Sequence, residues 1–332
     1  MGDVIYTLPM ATLLKEKFPD CEISFLVRDC NKAIIEMADD VDHFISLDDL
    51  RGLPEEQAVI RLRETGATDF IHVMPDKDLA RIVSKAGIKR KIGTVRRPYH
   101  VRYCNKLIWA SRSHDDKHEI QFTTRMLSPY GVETYKDTDF YASKIKLSAV
   151  SCCPEKYLNL INKSKFTVVL HPGSNGHAKE WPISRMKEFI EKLDPQQYQV
   201  FISGLQSEKE KFNEALVEPY SHVDSLMGAL TLLEFADFIV HSDVLIASST
   251  GPLHLSSLLG QNTVGVFPDI GHLDVTRWGA LGPNTINLTS PIVCDVCQSY
   301  KVISHGQSDP NCTCMYSITA EDVYSSLKTL RK

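Results

Sequence analysis

No run of 18 or more apolar residues occurs in the chain, and its first residues lack the basic, apolar and small-residue stretches of a secretory signal. Membrane-spanning helices and export are therefore not expected, and the expected location is the cytoplasm. The phosphate loop G-x-x-x-x-G-K-[ST] is also absent, which argues against kinase-type phosphoryl transfer. Neither a short-period repeat nor a low-complexity segment is present, so a solenoid is not indicated. A disulfide framework is missing too. The nine cysteines are an odd number, and Cys21, Cys30, Cys104, Cys152 and Cys153 are scattered as reduced thiols of a cytosolic protein would be. With a net charge of -5 there is no global attraction to nucleic acid or an anionic membrane, and any anionic partner must be met by a local patch.

What the sequence does contain is ordinary globular material: 332 residues, 43% hydrophobic and 24% charged. That length exceeds the usual single core and predicts two domains of about 150 residues each. In the first half, an amphipathic stretch from Met10 to Phe18 precedes an apparent buried strand, Glu22 to Val27, and Asp69 to Val73 reads as another. Strands alternating with helices imply a parallel sheet. A polar stretch with Cys and Pro, Ser148 to Glu155, divides the expected domains 1–150 and 151–332. The second half reads as strand Phe166–His171, a Gly-containing loop, a helix near Ile183–Leu193 and strand Gln199–Ser203. A helix near Thr231–Phe238, strand Val244–Ala247, a helix from Pro252 and strand Thr263–Phe267 follow. Two Rossmann-like α/β halves with a cleft between them are the expected architecture.

Two motifs stand between a strand and a helix. Ser248-Ser249-Thr250-Gly251-Pro252-Leu253-His254-Leu255 follows an apolar strand and opens a helix. Its hydroxyls suit an N-cap, Pro252 the first turn, and Gly260 a C-terminal cap. The free N–H groups and the dipole of such a start favour an anion such as a nucleotide diphosphate, although an ordinary capped helix accounts for the same residues. Upstream, His171-Pro172-Gly173-Ser174 runs through Asn175 and Gly176 to Lys179-Glu180-Trp181-Pro182. The glycines let backbone approach a ligand, and Lys179 is suited to neutralising a diphosphate leaving group; a surface loop with a solvated lysine is the alternative.

Taken together, these motifs resemble glycosyltransferase family 9, the ADP-heptose:lipopolysaccharide heptosyltransferases, over nearly the whole chain. The matching segments are Gly2-Asp3-Val4-Ile5 to Thr7-Leu8-Pro9 with Phe18-Pro19-Asp20, the loop from His171 to Pro182, the helix start Thr250 to Leu255, and Phe267-Pro268-Asp269 to Arg277-Trp278-Gly279. The resemblance implies a GT-B fold, a cytoplasmic enzyme that can sit peripherally at the inner membrane, an ADP-sugar donor, an inverting mechanism and no required metal or cofactor. Asp3 resembles the catalytic carboxylate that takes the acceptor proton, a task a carboxylate performs when it lies within hydrogen-bond reach. Lys179 would assist the departing diphosphate. Ser174, Ser249, Thr250, Gly251, Pro252, Leu253 and His254 would line the donor site, with His254 structural rather than a base. Glu208 resembles the position that bonds the nucleotide ribose, although an acid satisfying a helix start reads equally well.

Two departures stand out. The family carries Asp before Thr-Gly where this chain has Ser249, and it begins with a strand ahead of Gly-Asp where this chain has Met1. They keep open a non-catalytic nucleotide-sugar or saccharide binding member of the family. A GT-B-fold sugar-nucleotide epimerase is a second rival. A basic stretch, Lys89, Arg90, Lys91, Arg96, Arg97, Arg102 and Lys106 with Tyr99, His100 and Tyr103 between, falls where the family binds its acceptor. Lys89, Arg90, Arg96, Arg97 and Arg102 are thus expected to meet carboxylates or phosphates of a lipopolysaccharide core, with a solvated basic face as the alternative. No nucleic-acid module accompanies them. Finally, Cys294, Cys297, Cys312 and Cys314 offer a paired spacing for structural zinc, with reduced thiols the preferred reading.

Overall fold

The computed structural model describes residues 1–110, 117–176, 178–270, 273–292 and 313–331. The chain divides into two compact units, Asp3–Lys146 and Leu147–Lys332, with Met1 and Gly2 belonging to the second.

In the N-terminal unit the strands are short and parallel, and they form two sheets. One pairs β1 (Ser24–Val27) with β2 (His43–Ser46); the other is ordered β3 (Asp69–Ile71), β4 (Arg90–Thr94), β5 (Lys106–Ile108). Helices Glu55–Glu64 and Lys77–Lys85 bury Ala58, Leu62 and Val83 in a cluster that Leu26 of β1 and Phe70 of β3 pack against. Both expected strands in this half are present but shorter, because Glu22 and Ile23 precede the ladder and His72 and Val73 follow it. Gly2–Ile5 forms one helical turn, and Pro9–Lys17 a second helix with Pro9 in its first turn, where the absent N–H costs nothing.

The C-terminal unit is built on one six-stranded parallel sheet. Its strands are β6 (Phe166–His171), β7 (Tyr198–Ile202), β8 (Val223–Ser225), β9 (Val244–Ser248), β10 (Thr263–Phe267) and β11 (Thr285–Thr289), in the order β11-β10-β9-β6-β7-β8. β9 and β10 are buried along their whole length, as apolar runs in a sheet covered on both faces must be. Alternation then makes two cores. Val168, Leu170, Ile202, Ile246 and Val266 face helices Ile183–Lys192 and Ala320–Leu330, whereas Val169, Phe201, Leu245 and Phe267 face helix Leu232–Val240. Capping boxes at Thr231/Glu234 and Thr319/Asp322 begin two of these helices. The chain runs outward from β6 through β7 to β8, then returns to β9 on the other side of β6. The strand order therefore reverses between β6 and β9, the place where open α/β sheets leave a ligand crevice at the carboxyl ends of the strands.

Candidate functional site

Both motifs singled out from the sequence stand at that reversal, one after β6 and one after β9. The loop after β6 turns sharply at Asn175 (φ 46°) and Gly176 (φ 77°), and Asn175 is the one non-glycine residue with positive φ among the described residues. Left-handed backbone of this kind is rare outside Gly and Asn. The loop is folded from within. Glu180 accepts hydrogen bonds from the Ser174 N–H (2.9 Å) and hydroxyl (3.1 Å), and the Ser174 Oγ also lies 3.0 Å from the Ala178 carbonyl. Ser174, expected among the donor contacts, is thus occupied in shaping its own loop. Trp181 is buried, its indole N–H donating to the Ile318 carbonyl (2.9 Å) and its backbone N–H to Ser248 Oγ (3.0 Å). These bonds fix the end of the loop and leave Lys179 half-buried with no ion-pair partner among the described residues.

After β9 the backbone enters helix Gly251–Leu258, with Thr250 at the N-cap and Pro252 in the first turn. Thr250 makes no capping bond, contrary to the expected role of its hydroxyl: Oγ1 is buried, the residue is 8% exposed, and the oxygen has no partner among the described residues. A buried hydroxyl left this way costs about 1–3 kcal/mol unless something arrives to bond it. The first-turn N–H groups of Gly251 and Leu253 likewise have no carbonyl one turn back within the helix. The Leu253 side chain is wholly buried in the core, so only its backbone can meet a ligand. His254 is buried too, its ring 6.3 Å from that of Trp278, in keeping with a structural role. Ser249 is half-buried. Gly260 closes the helix at φ 80°, as its position in the sequence suggests. Met1 lies against Gly251, and a Cβ on Gly2 would sit 3.1 Å from the His254 ring.

Three further residues of these motifs shape the site, although none was expected among its contacts. Ser248 ties the two loops together through Trp181, and Glu180 braces the first loop. His171, at the end of β6, lies 3.0 Å from Ser203 Oγ through Nδ1, and burial lowers its pKa to about 4, so it stands neutral at pH 7. Nothing in the spacing marks Ser203; only the strand register brings it to the same edge as Ser248, which opens its motif. Glu208 serves its own helix start and lies against Gly173. One oxygen accepts from the Leu205 N–H (3.2 Å), bracing its own short turn, and the carboxyl group fills the space a side chain on Gly173 would need.

In the N-terminal unit Asp3 is half-buried; its carbonyl accepts from Thr7 Oγ1 (2.7 Å), and its carboxylate has no partner among the described residues. The basic stretch is not one patch. Lys89 and Arg90 stand at the amino end of β4, where Arg90 pairs with Asp69 (3.4 Å) and lies 4.8 Å above the Tyr130 ring. Arg96 and Arg97 lie past its carboxyl end, about 16 Å further along a five-residue strand, whereas Arg102 is on the returning helix Pro98–Tyr103, three residues before Asn105, which bonds back to Lys89 and Lys91. His100, counted among the interleaved aromatics, is wholly buried, with Nδ1 accepting from the Thr94 N–H (2.9 Å). A separate cavity of about 510 Å³ lies beside Leu50, Arg51, Glu55, Asp76 and Arg81, and none of the basic residues chosen from the sequence lines it. Of the four C-terminal cysteines, Cys294, Cys297 and Cys312 lie outside the described residues, and Cys314 is buried.

The fold is shared with solved glycosyltransferases. A glycosyl transferase family 9 protein of Veillonella parvula superposes with a TM-score of 0.78 at 16% identity, covering 99% of this chain and 93% of its own. E. coli ADP-heptose lipopolysaccharide heptosyltransferase II gives 0.74 at 16% identity, with 99% and 95% covered. E. coli heptosyltransferase WaaC, solved with ADP, gives 0.70 at 18%, with 99% and 97% covered. Among the described residues no helix is long and apolar enough to cross a membrane. The family model for glycosyltransferase family 9 (heptosyltransferase) matches residues 61–306, so the chain belongs to that family: it is a glycosyltransferase of GT-B fold, made of two Rossmann-like α/β domains.

Proposed function

We propose that the protein transfers a heptose, or a closely related sugar, from its ADP-linked donor to a saccharide of the lipopolysaccharide inner core, with inversion at the anomeric carbon. The observation that carries the donor half is the pairing of Lys179 with the buried hydroxyl of Thr250, neither of which has a partner among the described residues, on two loops that flank one strand reversal and are pinned together by Ser248. A diphosphate supplies what both lack: anionic oxygens for the ammonium group and acceptors for the hydroxyl and the Gly251 and Leu253 N–H groups. Glu208, over Gly173, is the acidic group available to a ribose hydroxyl. The choice of adenine and heptose follows the ligands named for the E. coli relatives, WaaC with ADP and with ADP-2-deoxy-2-fluoro heptose.

On this reading the acceptor hydroxyl attacks the anomeric carbon, the bond to the β-phosphate oxygen breaks, and ADP leaves as charge gathers on that oxygen. Lys179 and the helix start stabilise that charge, which grows in the transition state, and so act on rate as well as affinity. Asp3 takes the hydroxyl proton. Acceptor recognition falls to the N-terminal unit, with Arg96 and Arg97 beyond the carboxyl end of β4 as its cations. Ser249, where the family has aspartate, leaves the helix start without a competing negative charge.

Calorimetric titration of ADP, UDP and GDP into the folded protein tests the donor. ADP is expected to bind selectively, and Lys179→Ala to weaken it by roughly tenfold or more, since a hydrogen bond to a charged group contributes about 1.5–3 kcal/mol. Asp3→Asn is expected to keep that affinity while turnover falls by about 10²–10⁴. Absence of binding by folded protein rejects the donor site, unchanged turnover removes Asp3, and donor consumption without acceptor turns the assignment to an epimerase.

A further inference from the structure

The cavity of about 510 Å³ beside Arg51 and Arg81 lies within the N-terminal unit, between helix Leu47–Gly52, which follows β2, and helix Lys77–Lys85, which follows β3. Leu47, Leu50 and Leu53 recur every third residue along and just past the first helix, as Leu79 and Ile82 do on the other, so each side turns an aliphatic row toward the space. Leu50 is buried, and Leu79 and Ile82 pack against the cluster around Leu62, which makes these rows the floor of the cavity.

Charge is arranged around that floor in pairs that cross between elements. Arg51 meets Asp76, the residue that caps helix Lys77–Lys85. Glu55 meets Arg81 (2.9 Å) and Lys85, and Arg81 also meets Asp78 (3.1 Å). Arg51, Arg81 and Lys85 thereby balance Glu55, Asp76 and Asp78, so these pairs carry no net charge. Asp76 and Arg81 are five residues apart, which separates the two ends by about 7.5 Å along the helix, close to the width of one pyranose ring with its hydroxyls. Each guanidinium has N–H groups, and each carboxylate lone pairs, beyond those that these bonds use. Arg81 Nε is buried with no partner among the described residues, so one wall holds a donor in need of an acceptor.

We infer that this cavity is an accessory binding site for a neutral saccharide. A sugar hydroxyl both donates and accepts, so it can bridge the carboxylate and the guanidinium of one pair while the C–H face of the ring covers the leucine floor. An anionic ligand finds each cation already opposed by a carboxylate, and a cationic ligand finds the reverse. A purely apolar molecule would bury the charged rim without bonding it. The site is distinct from Arg96 and Arg97, which follow β4 and do not line the cavity. The inference goes beyond the transferase reading and does not rest on it, because sugar binding is measured with no nucleotide present.

The test is saturation-transfer and chemical-shift NMR of the full chain with the methyl glycosides of glucose, galactose, mannose and a heptose, with glucuronate and glucosamine as charged controls. At least one neutral glycoside is expected to bind at millimolar concentration, more tightly than either control, and to shift the backbone signals of helices Leu47–Gly52 and Lys77–Lys85. Leu53→Trp, which fills the cavity from its rim and breaks no ion pair, is expected to abolish binding, and Arg51→Ala to weaken it roughly tenfold. Leu53 and Arg51 are exposed, so both variants are expected to fold and to keep the ADP affinity of wild type. Absence of binding by every neutral glycoside overturns the inference. Preference for a charged control also overturns it, and so does binding that both variants leave unchanged, which would place the sugar elsewhere. Sugar binding that Leu53→Trp removes, in a protein that ignores ADP, supports this site while rejecting the donor reading.

Discussion

The two units reach stability by different means. The C-terminal unit has one continuous sheet, strands buried from end to end and two apolar cores, one on each face. The N-terminal unit has strands of three to five residues in two separate sheets, buried side chains such as Ile5, Tyr6, Ile34, Met126, Leu127 and Tyr141 besides the cluster around Leu62 and Val83, and a surface laced with ion pairs such as Lys15–Asp42, Arg51–Asp76, Lys85–Glu55 and Lys144–Glu16. Apolar burial adds roughly 25 cal/mol per Å², whereas an exposed ion pair contributes at most about 1 kcal/mol. The difference places one continuous sheet under the donor motifs and two short ones in the unit that carries the basic stretch.

Three substitutions break or sharpen that contrast. Trp181→Ala removes the largest fully buried side chain together with its bond to Ile318, and is expected to cost about 3–5 kcal/mol. Hydrogen exchange should register the loss in β6 and β9 and leave β3 and β4 unchanged; equal loss in both units would show that they fold as one. Next in size is a pH effect. Burial, with a smaller contribution from the neighbouring His100, lowers the His72 pKa to about 3, and both ring nitrogens are buried without partners among the described residues. An unfolded histidine takes up its proton near pH 6.5, so the stability due to neutral His72 is complete above that pH and is lost as pH falls from about 6.5 toward 3. His171 imposes the same acid sensitivity on the C-terminal unit down to about pH 4. His72→Phe is therefore expected to flatten the acid dependence of urea unfolding in β3 and β4 alone; an unchanged profile would assign it to other groups. Smallest is Lys144→Ala, which removes the pair with Glu16 (2.7 Å) and is expected to lower stability by about 0.2–1 kcal/mol, less at high salt. A loss several times larger would mean that the N-terminal ion pairs act as a coupled network.

The same contrast governs what could be read in advance. β6, Phe-Thr-Val-Val-Leu-His, and β10, Thr-Val-Gly-Val-Phe, were legible because a strand buried on both faces has to be a continuous apolar run. Pro252 and Gly260 marked the ends of their helix for reasons of backbone geometry that hold in any context. β3 is three residues long, and its ladder ends where His72 and Val73 continue the same apolar pattern, so composition could not locate its end. Side-chain direction was the main illegible quantity. Ser174 and Leu253 fall inside the right motifs, yet one bends back onto Glu180 and the other enters the core. The basic stretch failed for a related reason: residues seven apart are close in sequence, but a strand between them carries Lys89 and Arg96 to opposite ends of a sheet.

The turn at Asn175 and Gly176 also sets a chemical lifetime. An asparagine followed by glycine has no side chain shielding the next peptide nitrogen, and Asn175 is exposed on a loop. Attack of that nitrogen on the carboxamide releases ammonia, and hydrolysis of the resulting ring leaves aspartate or its backbone-lengthened isomer. Heat favours this route, in line with the scarcity of asparagine in proteins from hot environments. Either product adds a negative charge four residues from Lys179, and the isomer also lengthens the turn that positions it. Stored protein should therefore lose donor affinity before it loses fold, at a rate that peptide mass spectrometry of this loop can follow and that Asn175→Gly should abolish.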